Sequence, residues 1–261
     1  MNTQMLAVIK KDLLGITSNR RMMITLLIVP LVMTVFLPTI FVFIPYLAPE
    51  QGEDFRSMME MLPLAETGEG MHKSMIRLIL NYILPVFFLI IPIMSSCVMS
   101  ASSFVGEKEK RTLETLLYSP LSVKQIFTAK VMASLLLSMS VSLLSFLAML
   151  VVLETETWLI TGSAVMPDGK WLIIMLLVAP AVSLTAITLT VRVSARAKSV
   201  EDAQQGAAFL LMPVVLLLAG QFMGILLVSA WLLILVGILC ALCGIWLLKK
   251  SMYGFQYEAL L

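Results

Sequence analysis

Five stretches of this chain, residues 22–47, 78–104, 131–153, 171–191 and 206–248, carry no Asp, Glu, Lys, Arg or His. Each is at least as long as the roughly 20 residues that a helix needs to cross a hydrocarbon core of about 30 Å. The last covers 43 residues, too many for one helix, and is interrupted by Ala219-Gly220-Gln221-Phe222-Met223-Gly224 and by Ser229-Ala230-Trp231. The pattern therefore predicts six spans, at about 22–47, 78–104, 131–153, 171–191, 204–221 and 230–248. Two short, partly re-entrant pieces are expected within 219–231, where irregular backbone at membrane depth needs cover from protein or a water-filled cavity. The first run exceeds the 7–15 residues of a signal-peptide core and lacks an A-x-A cleavage site, so it reads as an uncleaved helix.

Composition closes off other classes. At 60% hydrophobic and 13% charged residues, against roughly 45–50% and 25% in soluble domains, a water-soluble globule is excluded. The expected fold is an all-α integral membrane protein, one transmembrane domain over 1–261. A net charge of +2 gives no reason to expect nucleic acid as partner, and one His with three Cys cannot build a zinc cage. No metal site is expected.

The Lys and Arg residues are unevenly divided. Lys10, Lys11, Arg20, Arg21, Lys108, Lys110, Arg111, Lys124, Lys130, Arg192, Arg196, Lys198, Lys249 and Lys250 fall on one side, 14 in all, and only Arg56, Lys73, Arg77 and Lys170 on the other. The positive-inside rule then places both termini in the cytoplasm. The outer loops, 48–77 and 154–170, hold nine of the 16 acids but are too short for a receptor or catalytic domain. The first could hold a small helix around Phe55, Met58, Met59 and Leu62.

Two cytoplasmic segments carry a pattern. Residues 3–18 put Met5, Leu6, Ile9, Leu13 and Ile16 on one helical face, as an amphipathic helix on the inner leaflet would, turning in at Ser18-Asn19. A basic tail drawn to anionic lipid is a compatible reading. Between spans 2 and 3 lies the densest charge cluster, Gly106 to Pro120. Glu107 and Arg111 stand four apart in the favourable order, Leu113, Leu116 and Leu117 form a narrow apolar stripe, and Ser119-Pro120 ends the helix. A further helix is expected to start at Ser122 with Gln125 as its capping-box partner. On these residues alone the segment is either a solvated linker or a helix set against the cytoplasmic mouth.

The run Phe104-Val-Gly-Glu107-Lys-Glu109-Lys-Arg111-Thr112-Leu113-Glu114-Thr-Leu116-Leu117-Tyr-Ser-Pro120 resembles the segment after the second span of type-2 ABC transporter permeases. Six spans, an N-terminal elbow helix and a second inner loop, 194–203, are similar to that family as well. The resemblance implies a coupling helix over about 106–120 that docks on a separate ATPase subunit. Glu107, Glu109, Arg111 and Glu114 would make the polar contacts, Leu113, Leu116 and Leu117 would seat the helix, and Thr112 and Pro120 complete the motif. Lys10, Lys11, Arg196, Lys198 and Glu201 would add secondary cytoplasmic contacts. The resemblance also implies an ATP-driven exporter, with ATP and Mg bound by the partner ATPase, a second permease copy or homologue beside this chain, and the bilayer of a bacterial cytoplasmic membrane around it. Larger sodium-exporter-like members carry a long ectodomain after span 1, which this chain lacks, so the cargo stays open.

Other chemistry finds little support. No G-x-x-x-x-G-K-[ST] occurs, so hydrolysis is expected from a separate subunit and not from this chain. The uncharged runs offer no acid or His for intramembrane hydrolysis, and His72 falls in the outer loop. The alternative is a single-component secondary transporter; such carriers commonly place a carboxylate near the midplane, though some coordinate Na+ by backbone carbonyls. A neighbouring ATPase gene would separate the two. In span 2, Asn81, Ser96, Ser100 and Ser103 either line a polar path or let another helix approach, and Ser134, Ser138, Ser142 and Ser145 in span 3 read as packing. Cys240 and Cys243 read as small packing residues, and the outer methionines Met58, Met59, Met61, Met71 and Met75 as an adaptable apolar surface.

Overall fold

The computed structural model describes residues 3–47, 76–109, 120–162, 164–194, 197, 199–207, 209, 211–222 and 229–254. Every regular element among them is helical, and six helices are long and apolar enough to cross a membrane. The elbow helix, Thr3–Thr17, precedes span 1, which starts at Arg20 and ends with the piece Leu37–Leu47. Span 2 covers Ile76–Glu109, span 3 Val123–Thr161 and span 4 Lys170–Ser194. Span 5 is built from Val200–Ala207 and Leu211–Phe222, and span 6 is Ala230–Gly254. Residues 48–75, with the expected small helix, His72 and the methionine cluster, lie outside the described residues, as do 223–228 within the expected re-entrant stretch.

The helix ends follow local chemistry. The Asn19 side chain accepts from the backbone N–H of Arg21 (3.1 Å) and Met22 (3.4 Å), which caps span 1 where the chain was expected to turn. Span 3 opens on the expected capping box: Ser122 and Gln125 each accept the other's backbone N–H, at 3.3 and 2.9 Å. It closes at Gly162, whose φ of 66° is the left-handed conformation that glycine adopts at no steric cost. Span 3 is thus 39 residues long, well beyond the expected 131–153, because helix continues into the charged flanks. Span 2 likewise runs on to Glu109, taking in 106–109, the first residues of the expected 106–120 segment.

Spans 2 and 4 form the centre, buried on most sides, while spans 1, 3, 5 and 6 present broad apolar outer faces. Leu144, Val151, Leu216, Leu235, Leu242 and Trp246 are among the large exposed side chains. Such a rim suits lipid as the surrounding solvent. Span 6 packs on span 4 through glycines: a Cβ on Gly237 would lie 2.9 Å from Leu177 Cγ, and one on Gly244 3.2 Å from the Thr185 backbone nitrogen. Those glycines set the approach. Cys240 is partly buried and packs against the core, as expected of a small packing residue, while Cys243 is exposed.

Among the described residues, three five-residue π-helical turns interrupt the spans: Val32–Phe36, Ile79–Ile83 and Ile174–Val178. Each lies two residues before a proline, Pro38, Pro85 and Pro180. A proline has no N–H, and its ring crowds the carbonyl four residues back, here the middle residue of each π turn. Widening the turn hands the next N–H to a carbonyl five residues back, as from Leu84 to Ile79, Leu37 to Val32 and Ala179 to Ile174. All three turns fall in the half of the bundle away from the basic flanks.

Candidate functional site

The basic end of the bundle holds a cluster of four charges from three elements. Asp12 and Lys11 come from the elbow helix, Glu107 from the end of span 2 and Lys130 from the start of span 3. The Lys130 side chain is only 2% exposed. Its Nζ lies 2.7 Å from Glu107 Oε2 and 3.7 Å from Asp12 Oδ2, donates to the Ser103 carbonyl, and sits 5.5 Å from the centre of the Phe104 ring. The Ser103 hydroxyl donates to Asp12 Oδ2 at 2.6 Å, and Lys11 pairs with Glu107 Oε1. Among the described residues the cluster holds two cations and two anions. A buried ammonium is tolerable only with that much compensation.

This arrangement bears on two expectations. The elbow helix buries Val8, Ile9, Asp12 and Ile16, while Leu6 is 48% exposed, so the face turned to the bundle is rotated toward Asp12. Glu107, expected on a docking surface, faces inward because Lys11 and Lys130 both reach it there. Glu109 and Pro120 are exposed at either end of the gap between described segments. Arg111, Thr112, Leu113, Glu114, Leu116 and Leu117 lie outside the described residues, as do Arg196 and Lys198.

The end of span 2 is also braced from the other inner segment. Ala101, Val105, Ala197, Val200 and Ala203 form a small apolar cluster. The helix Val200–Ala207 starts on Ser199, whose hydroxyl accepts from the Asp202 N–H at 3.1 Å, with exposed Glu201 in its first turn. Lys10 is exposed on the elbow helix. Elbow helix and 197–207 segment therefore both pack on the stretch of span 2 that leads into 110–119.

Deeper in, the serine rows of spans 2 and 3 meet each other. Ser96 donates to Ser138 (2.8 Å), Ser138 and Ser183 share a hydrogen bond of 2.9 Å, and Ser138 donates to the Pro92 carbonyl at 3.0 Å. This joins spans 2, 3 and 4 through small polar residues. Ser100 donates to the Ser96 carbonyl of its own helix at 2.6 Å. Asn81, at the far end of span 2, accepts from the Asp168 N–H (2.9 Å), while its buried amide nitrogen has no hydrogen-bond partner among the described residues. Ser96, Ser100, Ser103 and Asn81 are all buried within the chain.

Neither Asp12 nor Lys130 stands out when the sequence is scanned for uncharged runs. The signal lies in the stripes: Ser96, Ser100, Ser103 and Glu107 fall at i, i+4, i+7 and i+11, and Lys130, Ser134 and Ser138 at i, i+4 and i+8. Each small-residue stripe ends in a charge of opposite sign, and Asp12 lies between Ile9 and Ile16 on the buried stripe of its helix.

A family model described as ABC-2 family transporter protein matches residues 6–232. The chain belongs to that family. It is thus a multi-pass membrane protein and an ABC permease, a transporter component that is not itself the catalytic part. No curated protein and no solved structure matches the chain. The match to this ABC-2 permease takes in the elbow helix from residue 6, the whole charge cluster and spans 1 to 5.

Proposed function

We propose that the chain is the membrane-spanning subunit of an ATP-driven exporter, in which residues 110–120 dock on a separate ATPase subunit. Pairing with a second copy or a homologue would form the substrate path, with both termini in the cytoplasm of a bacterial cell. The observation that carries the reading is the membership of the ABC-2 family together with the site at the end of span 2. There the elbow helix, the start of span 3 and the helix Val200–Ala207 converge on the last turns of span 2, which lead in sequence to residues 110–120.

In such a machine ATP binding closes the ATPase pair and displaces the docked segment. Span 2, the most buried helix, receives that displacement first. Glu109, Arg111 and Glu114 are the polar docking contacts in this reading, with Thr112 and Pro120 in the same segment and Leu113, Leu116 and Leu117 seating it. Lys10, Arg196, Lys198 and Glu201 flank it, and Glu107 acts from inside. Asn81, whose amide nitrogen has no partner among the described residues, is the pathway candidate that an opening beside span 2 would expose. ATP and Mg belong to the partner subunit. The test is reconstitution in proteoliposomes: the purified chain alone should hydrolyse no ATP, and adding the cognate ATPase should yield vanadate-sensitive hydrolysis that depends on the permease. Hydrolysis by the lone chain would overturn the reading.

A further inference from the structure

Lys130 stands between two carboxylates at unequal distances, 2.7 Å from Glu107 and 3.7 Å from Asp12, which lie on different elements. We propose that Lys130 is a two-position pin. Its ammonium is held by Glu107 in the form described here and closes on Asp12 when the end of span 2 moves, keeping the elbow helix locked to span 3 throughout.

The reasoning starts from desolvation. An ammonium this deeply buried cannot be left without an anion, so a displacement of Glu107 alone would be opposed by the full cost of an unpaired charge. A second carboxylate removes that opposition. Asp12 is already aimed at the site, with its Oδ2 fixed by the Ser103 hydroxyl at 2.6 Å, and needs to close only from 3.7 Å. Ser103 supplies the pivot, since its carbonyl and its hydroxyl oxygen, the latter at 3.3 Å, both accept from Lys130. Glu107 also keeps an anchor when it leaves, because its other oxygen is on Lys11, whose side chain is 53% exposed and can follow it toward water. Both end states are therefore charge-paired, which is what a bistable element requires. Lys130 acts as a positioning residue for the coupling step, and the proposal rests on the ATPase-coupled reading above.

The experiment uses the assembled transporter, permease with its ATPase, in proteoliposomes, and compares Glu107→Gln with Asp12→Asn. Glu107→Gln weakens the position described here and should raise basal hydrolysis per assembled complex by about fivefold; Asp12→Asn weakens the other and should lower it by about as much, in the range of ordinary coupling energies. In a Lys130→Met background the two should no longer act in opposite directions. A cluster that merely holds the fold together would change both rates in the same direction, and that result would overturn the pin. A second measurement covers variants that do not assemble. Spin labels at the exposed positions Gln4 and Lys108, with the cluster intact, should show a distance change between nucleotide-free and vanadate-trapped complexes. An unchanged distance would also overturn the pin. Failure of any ATPase to associate would refute the coupled reading itself, a different outcome from same-direction rate changes.

Discussion

Single residues here are held by partners that the helix itself cannot provide. The Leu80 carbonyl is an example: the N–H of Leu84 goes to Ile79 instead, and Pro85, next in line, has none. The Trp171 indole takes the place, donating to Leu80 at 3.2 Å while its ring packs on Phe88 and Phe146 at 5.4 and 5.1 Å between centres. Trp171→Phe keeps most of that packing and removes the donor. It should lower stability by about 1–3 kcal/mol, the cost of a buried acceptor left unmade, measurable as a loss in thermal unfolding temperature in detergent. At the basic end Lys130→Met leaves Asp12 and Glu107 without their shared cation and should cost about 3–5 kcal/mol. By contrast Ser138→Ala, in the serine junction, should cost only about 0.6 kcal/mol, as hydrogen bonds between membrane helices usually do. If Lys130→Met proved as mild as Ser138→Ala, the buried ion cluster would not be holding the basic end together.

At the scale of elements, the π turns widen spans 1, 2 and 4 locally, each just before a proline. The span 1 turn packs against span 3 and against the Leu84–Phe88 piece just beyond the span 2 turn, so those two share a level. Pro85→Ala restores an N–H within reach of the Leu80 and Asn81 carbonyls and should let Ile79–Ile83 revert toward α-helix. Slower amide hydrogen exchange over residues 79–89 would register it, and unchanged exchange would show that the π turn does not depend on the proline. The segment 110–120 offers a separate test. Arg111→Ala and Glu114→Ala should leave permease stability unchanged yet weaken detergent pull-down of the ATPase, since an interfacial ion pair that loses one partner costs about 2–5 kcal/mol. Full recovery by both variants would remove the docking role.

Much of this was legible in the sequence at the level of spans and little of it at the level of turns. Uncharged length located six helices because a hydrocarbon core tolerates little else, and Ser122 with Gln125 marked a helix start because capping is local. Helix ends were misplaced where charged residues continue the helix: span 3 runs to Thr161 although Glu154 and Glu156 lie in it, and Thr39 of span 1 donates to the Glu156 carboxylate. The inward turn of Glu107 was hidden for a different reason. Its partners are 96 residues before it and 23 residues after it in the chain, Lys11 and Lys130, and no local pattern reports a contact between elements.

For the whole molecule, the division of basic residues predicts the orientation of the bundle. Cysteine probes at Lys124 and Lys250 should resist an impermeant label from outside intact cells, and a probe at Asp168 should react. Reaction at position 124 would invert the topology and put the charge cluster on the wrong face for an ATPase. The central claim is that this ABC-2 permease works only with a separate ATPase. Affinity purification of the intact chain from its native membrane, with mass spectrometry of what accompanies it, tests that claim most directly. A nucleotide-binding ATPase subunit in stoichiometric amount is the predicted result, and a stable, transport-competent permease with no ATPase in the preparation would contradict it.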